Sequence, residues 1–139
     1  MKSRMMKSMF AAALFAIAMM VAPLPARADT FGECKALLDI LRADTVNPSN
    51  GLSDKDRAGL IGKIDFAATK LDQAKFCDAI QKINDFKRTV SGLAAAAKVK
   101  INQDPTDGAV TAQQLVADAD AVNACITDLA TQAGVTCTF

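Results

Sequence analysis

Apolar side chains recur every three or four residues in four separate stretches of the sequence, which is the spacing of one face of an α-helix. No stretch sustains the two-residue alternation that is typical of a half-buried β-strand. We therefore expect an all-α fold. The first stretch is shorter than the others, so the sequence predicts a small antiparallel bundle of three main helices plus a short N-terminal helix, stapled by disulfide bonds.

Turn and cap residues set the expected limits of the first two helices. The first is expected over residues 31–42, because a cluster of turn formers at 47–51 breaks the pattern. Its apolar stripe includes Phe31, Cys34 and Leu41. The second begins after Ser53, a predicted N-cap that has Asp56 three residues on in a capping-box arrangement.

The third and fourth helices follow after short polar connections. Only residues 72–75 separate the second helix from the third, which favours an antiparallel pair. The third is expected to continue past Gly92, because one interior glycine costs only about 1 kcal/mol, and to end in the loop at 102–108. Thr111 and Gln114 form a second capping box, and Gly134 is the expected stop of the fourth helix.

The first 28 residues differ in character from the rest. A basic leader with three cations precedes an apolar run at 9–22, and Ala26-Arg27-Ala28 has the small-x-small pattern of a signal-peptide cleavage site. The apolar run has about 14 residues, fewer than the roughly 20 that span a bilayer. We expect residues 1–28 to be a cleaved secretory signal, 29–52 a short helix with a linker, and 53–139 the bundle domain with a C-terminal tail. No stable membrane anchor is expected after cleavage.

Removal of this leader makes the chain weakly acidic. Four of the 16 Lys and Arg lie in it and none of the 15 Asp and Glu, so the remainder carries 12 − 15 = −3 charges. Binding of nucleic acid or of an anionic membrane requires a clustered positive patch. We expect solvated faces for the two basic groups and no nucleic-acid partner; the groups are Lys82, Lys87 and Arg88, then Lys98 and Lys100.

Four cysteines, all after the leader, predict two disulfide bonds in an exported chain; they are Cys34, Cys77, Cys125 and Cys137. A metal site would require closely spaced cysteine pairs, which the sequence lacks. Three pairings are possible. In an antiparallel bundle all four fall at one end, and the core helices favour Cys77 with Cys125, which leaves Cys34 with Cys137.

Three segments carry a family resemblance. They resemble the small three-helix module, often called the FIMAH-type domain, that is found near the ends of many exported bacterial proteins. The resemblance covers about half of the chain and implies a helical fold without catalytic residues. The segments are Leu60-Ile61-x-Lys63-Ile64-x-x-Ala67-x-x-x-Leu71, Phe76-Cys77-x-Ala79-Ile80-x-x-Ile83-x-x-Phe86, and Gly108-x-Val110-Thr111-x-x-Gln114-Leu115-Val116-x-x-Ala119-x-x-Val122.

The sequence offers few side chains that could act in catalysis. There is no histidine, so the commonest general base, metal ligand and neutral-pH switch are missing. Ser53 and Thr111 are predicted caps, Ser91 has no base to activate it, and no glycine-rich phosphate loop occurs. We expect no enzyme, no catalytic residues and no cofactor.

Acidic residues are interpreted as structural or solvated. The segment Asp104–Gly108 has the wrong residues at three positions of a calcium loop, so a plain turn is expected and no metal site. The remaining acids of the second and fourth helices are expected on solvated faces; they are Asp65, Asp72, Asp118, Asp120 and Asp128.

Two binding functions remain for an exported protein, periplasmic or extracellular. We favour a non-catalytic protein-interaction or accessory module that presents a helix face, or the groove beside the first helix, to an unknown exported protein or envelope component. The alternative is a periplasmic carrier that holds a lipid or another small apolar ligand in a helix-lined cavity. The Ala-rich stripes suit close helix packing, which favours the module. The oligomeric state is open.

Overall fold

The computed structural model describes residues 30–96, 98 and 100–139, and the predicted signal at 1–28 lies outside them. These residues contain four α-helices and one 3₁₀ turn, and no strand occurs among them. The all-α prediction is therefore confirmed. The helices are α1 (Phe31–Val46), α2 (Asp54–Asp72), α3 (Phe76–Ala95) and α4 (Ala112–Gln132), and the 3₁₀ turn is Pro48–Asn50.

Helix α1 begins with a complete capping box. The hydroxyl of Thr30 accepts from the backbone N–H of Glu33, and the Glu33 carboxylate accepts from the N–H of Thr30 at 2.7 Å. The helix has 16 residues and ends at Val46, one turn beyond the expected end at residue 42. The prediction that Phe31 belongs to the buried apolar stripe is wrong, because its side chain is exposed in the first turn.

The turn after α1 is held by a buried asparagine. Nδ2 of Asn50 donates to the carbonyl oxygens of Asp44 and Thr45, both at 2.9 Å, and its Oδ1 accepts from the N–H of Leu52 at 3.0 Å. The backbone oxygen of Asn50 accepts from Asn102 at 2.8 Å, which joins this turn to the loop before α4. Gly51 follows with φ of 73°, a conformation that glycine adopts without strain.

The predicted caps of α2 and α4 are present in the structure. The hydroxyl of Ser53 accepts from the N–H of Asp56, and that of Thr111 accepts from the N–H of Gln114, both at 3.1 Å. Helix α3 continues past Gly92 as expected but ends at Ala95, earlier than the loop at 102–108. The chain leaves the helix before Ile101, which is buried in the core.

Each helix packs on two neighbours, through the pairs α1–α2, α2–α3, α3–α4 and α1–α4. One cluster of buried side chains runs through all four and includes Cys34, Leu38 and Leu41 of α1. Burial of such apolar surface is the main favourable term in folding. The largest fully buried side chains are Phe86, Leu38, Leu41, Leu60, Ile64, Leu71, Ile83, Leu115 and Ile126.

Polar contacts link neighbouring helices at their edges. Lys35 of α1 contacts Asp72 of α2 at 2.8 Å, and Arg42 contacts Asp65 at 3.1 Å. Across α3 and α4, Nδ2 of Asn123 donates to Oδ1 of Asn84 at 2.8 Å. No helix in the described part of the chain has the length and apolar character needed to cross a membrane.

Candidate functional site

A groove of about 560 Å³ runs between the last turns of α3 and the first turns of α4, and it is open to solvent along one side. Its size lies within the range of pockets that bind small molecules or anchoring side chains. Most of its wall consists of small or apolar side chains, namely Val90, Ala94 and Ala95 of α3 and Ala112, Val116 and Ala117 of α4.

The groove exists because small residues occupy matching positions on two packed helices. Val90 and Ala94 lie one turn apart on α3, and Ala112 and Val116 lie one turn apart on α4. Residues at this spacing share one helix face, so each pair follows the direction of the groove. Alanine side chains end at Cβ, which leaves space between the helices and lets another backbone approach closely.

Polar groups close the groove at its edges. Nε2 of Gln103 donates to the carbonyl oxygen of Ala94 at 2.9 Å and fastens the loop before α4 to the end of α3. Asp120 lies further along the groove and forms an ion pair with Lys87. The site therefore combines an apolar floor with polar edges and suits an apolar segment flanked by hydrogen-bonding groups.

From the sequence we expect a binding surface on a helix face or in the groove beside the first helix. The groove described above lies between α3 and α4. A smaller depression of about 330 Å³ does reach α1, with the lining residues Asp44, Pro105, Gly108, Ala109, Val110, Thr111 and Gln114.

Beside this depression the carboxyl groups of Asp44 and Asp118 face each other across α1 and α4. The pKa of Asp118 is raised from 3.8 to about 6, mainly by burial and in addition by the neighbouring carboxyl of Asp44. Nε2 of Gln114 donates to Oδ1 of Asp118 at 2.9 Å, which opposes the rise. Oδ2 of Asp118 is buried without a hydrogen-bond donor. Asp118 therefore keeps its proton to a higher pH than an ordinary aspartate.

The expectation that Asp118 lies on a solvated face is wrong. A spacing of two residues correctly places Asp118 and Asp120 on different faces of α4. It cannot show that α1 packs against the face that carries Asp118. Asp120 is exposed, and so are Asp65 and Asp72, as expected. Asp128 is half-buried, so it also departs from the expectation, and it accepts from Nε2 of Gln132 at 2.7 Å.

The two disulfides join Cys34 to Cys125 and Cys77 to Cys137, so all four cysteines are bonded as predicted. The expected pairing of Cys77 with Cys125 and of Cys34 with Cys137 is wrong. Cys34 reaches Cys125 because α1 packs directly on α4. The segment after α4 returns to the start of α3, where Cys137 meets Cys77.

The segment Asp104–Gly108 forms turns. The carboxylate of Asp104 accepts from the N–H and the hydroxyl of Thr106, and these hydrogen bonds lower the pKa of Asp104. Oδ1 of Asp107 accepts from the N–H of Ala109 at 2.9 Å. These carboxylate oxygens therefore take part in the local hydrogen bonds of the turns. In the residues the structure describes, no group of three potential metal ligands comes together.

The basic residues of α3 are neutralised by nearby acids, as their sequence neighbours indicate. Arg88 contacts Asp85 at 3.2 Å and Lys82 lies 3.8 Å from the same residue. Lys82 also lies over the ring of Phe66, with 4.6 Å between Nζ and the ring centre. Lys98 and Lys100 are exposed.

No protein-family model matches the sequence, and neither the curated proteins nor the solved structures give a match.

Proposed function

We propose that this protein is an exported, non-catalytic helical module that binds another exported protein or an envelope component through the groove between α3 and α4. The two disulfides indicate an oxidising, non-cytoplasmic environment. The predicted signal at residues 1–28 supports export to the periplasm or the exterior.

The observation that carries the proposal is the small-residue wall of the groove. Two packed helices with alanine along their exposed junction offer a trough in which a third helix can lie, the helix-in-groove mode of recognition. The wall extends over about two turns of α4, from Ala112 to Asp120. A partner helix would therefore be held by two or three apolar side chains spaced three or four residues apart.

The relative direction of the helices is part of the same proposal. We take successive helices to be antiparallel, because the contacts of Lys35 with Asp72 and of Arg42 with Asp65 run in opposite directions along α1 and α2. The resemblance to the FIMAH-type modules supports an accessory role. The lack of histidine, together with the use of the Ser53 and Thr111 hydroxyls as helix caps, supports the absence of catalysis.

A second candidate function has its own observation. The volume of about 560 Å³ and the apolar wall also fit a small apolar ligand such as a lipid chain, which would make the protein a carrier. Both candidates use the same groove, so the chemistry of the bound material distinguishes them.

The test compares two alanine-to-arginine variants on one helix. Ala117 is exposed and lines the groove, and Ala124 is exposed on the same helix outside it. The oxidised mature protein and both variants are incubated with envelope and culture-supernatant fractions, and the captured material is quantified by mass spectrometry. We expect Ala117→Arg to reduce capture of a specific partner about tenfold or more and Ala124→Arg to leave it unchanged.

The same samples separate the two candidates. Native mass spectrometry that detects a bound lipid in the wild type, absent in Ala117→Arg, would replace the module by the carrier. Equal capture by the wild type and both variants would exclude the groove as the binding site. Circular dichroism and melting curves confirm that both variants remain folded, since both positions are exposed helix surface.

A further inference from the structure

The two disulfides differ in their accessibility. Cys34 and Cys125 belong to the core and are 0% and 2% exposed. Cys77 and Cys137 are only half-buried. Thiol–disulfide exchange requires direct access of a thiolate to one sulfur atom. The outer bridge is therefore the more exposed of the two to a reductant in solution, whereas the inner bridge requires local unfolding.

The outer bridge holds the C-terminal tail, residues 133–139, in place. The N–H of Val135 donates to the carbonyl oxygen of Ala130 at 2.8 Å, the last hydrogen bond of the tail with the described part of the chain. Beyond it, Cys137 packs against the core through its disulfide, and Phe139 is 74% exposed. The disulfide is thus the main attachment of the last four residues.

The tail covers an apolar surface formed by α3 and α4. Ile80 and Ala130 are almost fully buried, 4% and 2% exposed. Both line a depression of about 220 Å³ whose other wall is the tail itself, with Val135, Cys137 and Phe139. Release of the tail would expose this surface at the start of α3, far along the helix from the groove at Val90–Ala95.

We propose that the Cys77–Cys137 disulfide is a reducible latch, opened by a dithiol reductant while the Cys34–Cys125 disulfide stays closed. One thiolate of the reductant attacks Sγ of Cys137, forms a mixed disulfide and displaces Cys77 as a thiolate, which takes up a proton. The second thiol of the reductant then attacks the reductant's first sulfur, which is bonded to Cys137 in the mixed disulfide. This step releases Cys137 as a thiol. The protein gains two electrons and two protons, and the reductant leaves as a disulfide.

The location of Cys77 favours its departure in this step. It lies in the first turn of α3, a helix of 20 residues whose N-terminus has no side-chain cap. The free N–H groups and the helix dipole at such a position stabilise a negative charge. Attack on Cys137, with Cys77 as the departing thiolate, is therefore the faster of the two directions.

The first experiment uses the oxidised mature protein under native conditions. Dithiothreitol is added, aliquots are quenched with acid, free thiols are labelled with one alkylating reagent, and the remaining cysteines are reduced and labelled with a second. Peptide mass spectrometry then gives the rate at which each cysteine becomes free. We expect Cys77 and Cys137 to become free together, about tenfold or more faster than Cys34 and Cys125. Equal rates, or earlier opening of the inner bridge, would overturn the latch.

The second experiment tests the release of the tail. The variant Cys77→Ser/Cys137→Ser lacks the outer bridge only, and Thr138→Ala changes the tail with the bridge intact. Carboxypeptidase digestion should remove the last residues of the double variant about tenfold faster than those of the wild type or of Thr138→Ala. Equal protection of all three would show that something other than the disulfide holds the tail. The wild-type reduction series decides the order of opening even where the double variant fails to fold.

This inference does not depend on the groove. The latch lies at the first turn of α3 and beyond the end of α4, and neither Cys77 nor Cys137 lines the groove. Failure of partner capture by the groove therefore leaves the latch experiment unaffected, and the reverse also holds.

Discussion

Replacement of Asp118 by asparagine is expected to stabilise the protein at neutral pH. In the folded state the ionised carboxyl of Asp118 is partly buried and faces Asp44, and one of its oxygens has no donor. Asparagine keeps the shape, still accepts from Gln114 and can donate to the Asp44 carboxylate. The substitution therefore replaces a repulsive contact between α1 and α4 by a hydrogen bond.

The size of the effect follows from the pKa. A rise from 3.8 to about 6 in the folded state corresponds to about 3 kcal/mol of lost stability when both states are ionised. Asp118 is only partly buried, and water screens the repulsion, so we expect about half of this, roughly 1 to 2 kcal/mol. Because the folded pKa is raised, the loss is complete above pH 6, declines as the pH falls towards 3.8 and is absent below it.

Urea unfolding at pH 7.5 and pH 3.5 measures this difference for the wild type and the variants. Asp118→Asn should gain about 1 to 2 kcal/mol at pH 7.5 and close to nothing at pH 3.5. Asp44→Asn should give a smaller gain, because it removes the repulsion but leaves Asp118 buried, and the double variant should gain no more than Asp118→Asn alone. Asp120→Asn is the control, because this residue is exposed on the same helix and pairs with Lys87. A neutral or destabilising Asp118→Asn, or a gain that persists at pH 3.5, would refute the reasoning.

Two further substitutions test the rest of the fold. Asn50→Ala should lower the free energy of unfolding by about 2 to 4 kcal/mol, because it leaves the carbonyl oxygens of Asp44 and Thr45 and the N–H of Leu52 without their partner. Urea unfolding measures this loss, and a value under about 1 kcal/mol would contradict the prediction. Cys34→Ala/Cys125→Ala should cost about 4 kcal/mol or more, since it opens the longer covalent loop and also empties a packed site, and calorimetry should show a melting temperature lowered by many degrees.

Local sequence signals predicted the helices but not the contacts between distant segments. Ser53 and Thr111 act on an N–H three residues away, so their role as caps is encoded within one turn of sequence. The disulfide pairing was not predictable in the same way. Placing four cysteines at one end of a bundle is compatible with more than one pairing, and only the packing of α1 on α4 selects Cys34 with Cys125.

The candidate site was hidden from sequence reasoning for a related reason. The alanines at 94–95, 112 and 117 raise helix propensity wherever they occur, so they predict a helix and give no sign of a groove. The groove becomes visible only when the two helices are side by side. Asp118 similarly occupies a position that is polar by pattern, and its raised pKa depends on Asp44, a residue of another helix.

The two ends of the proposed antiparallel bundle differ in how they are held. One end carries both disulfides, with Cys34 beside the contact of Lys35 with Asp72. The other end carries the groove, the Asp44–Asp118 pair and the link between Asn50 and Asn102, all of them noncovalent. Local opening begins where few covalent or buried contacts resist it, so it should begin at the groove end. A partner that fills the groove would then stabilise the least constrained part of the fold, whereas reduction of the outer bridge would loosen the opposite end.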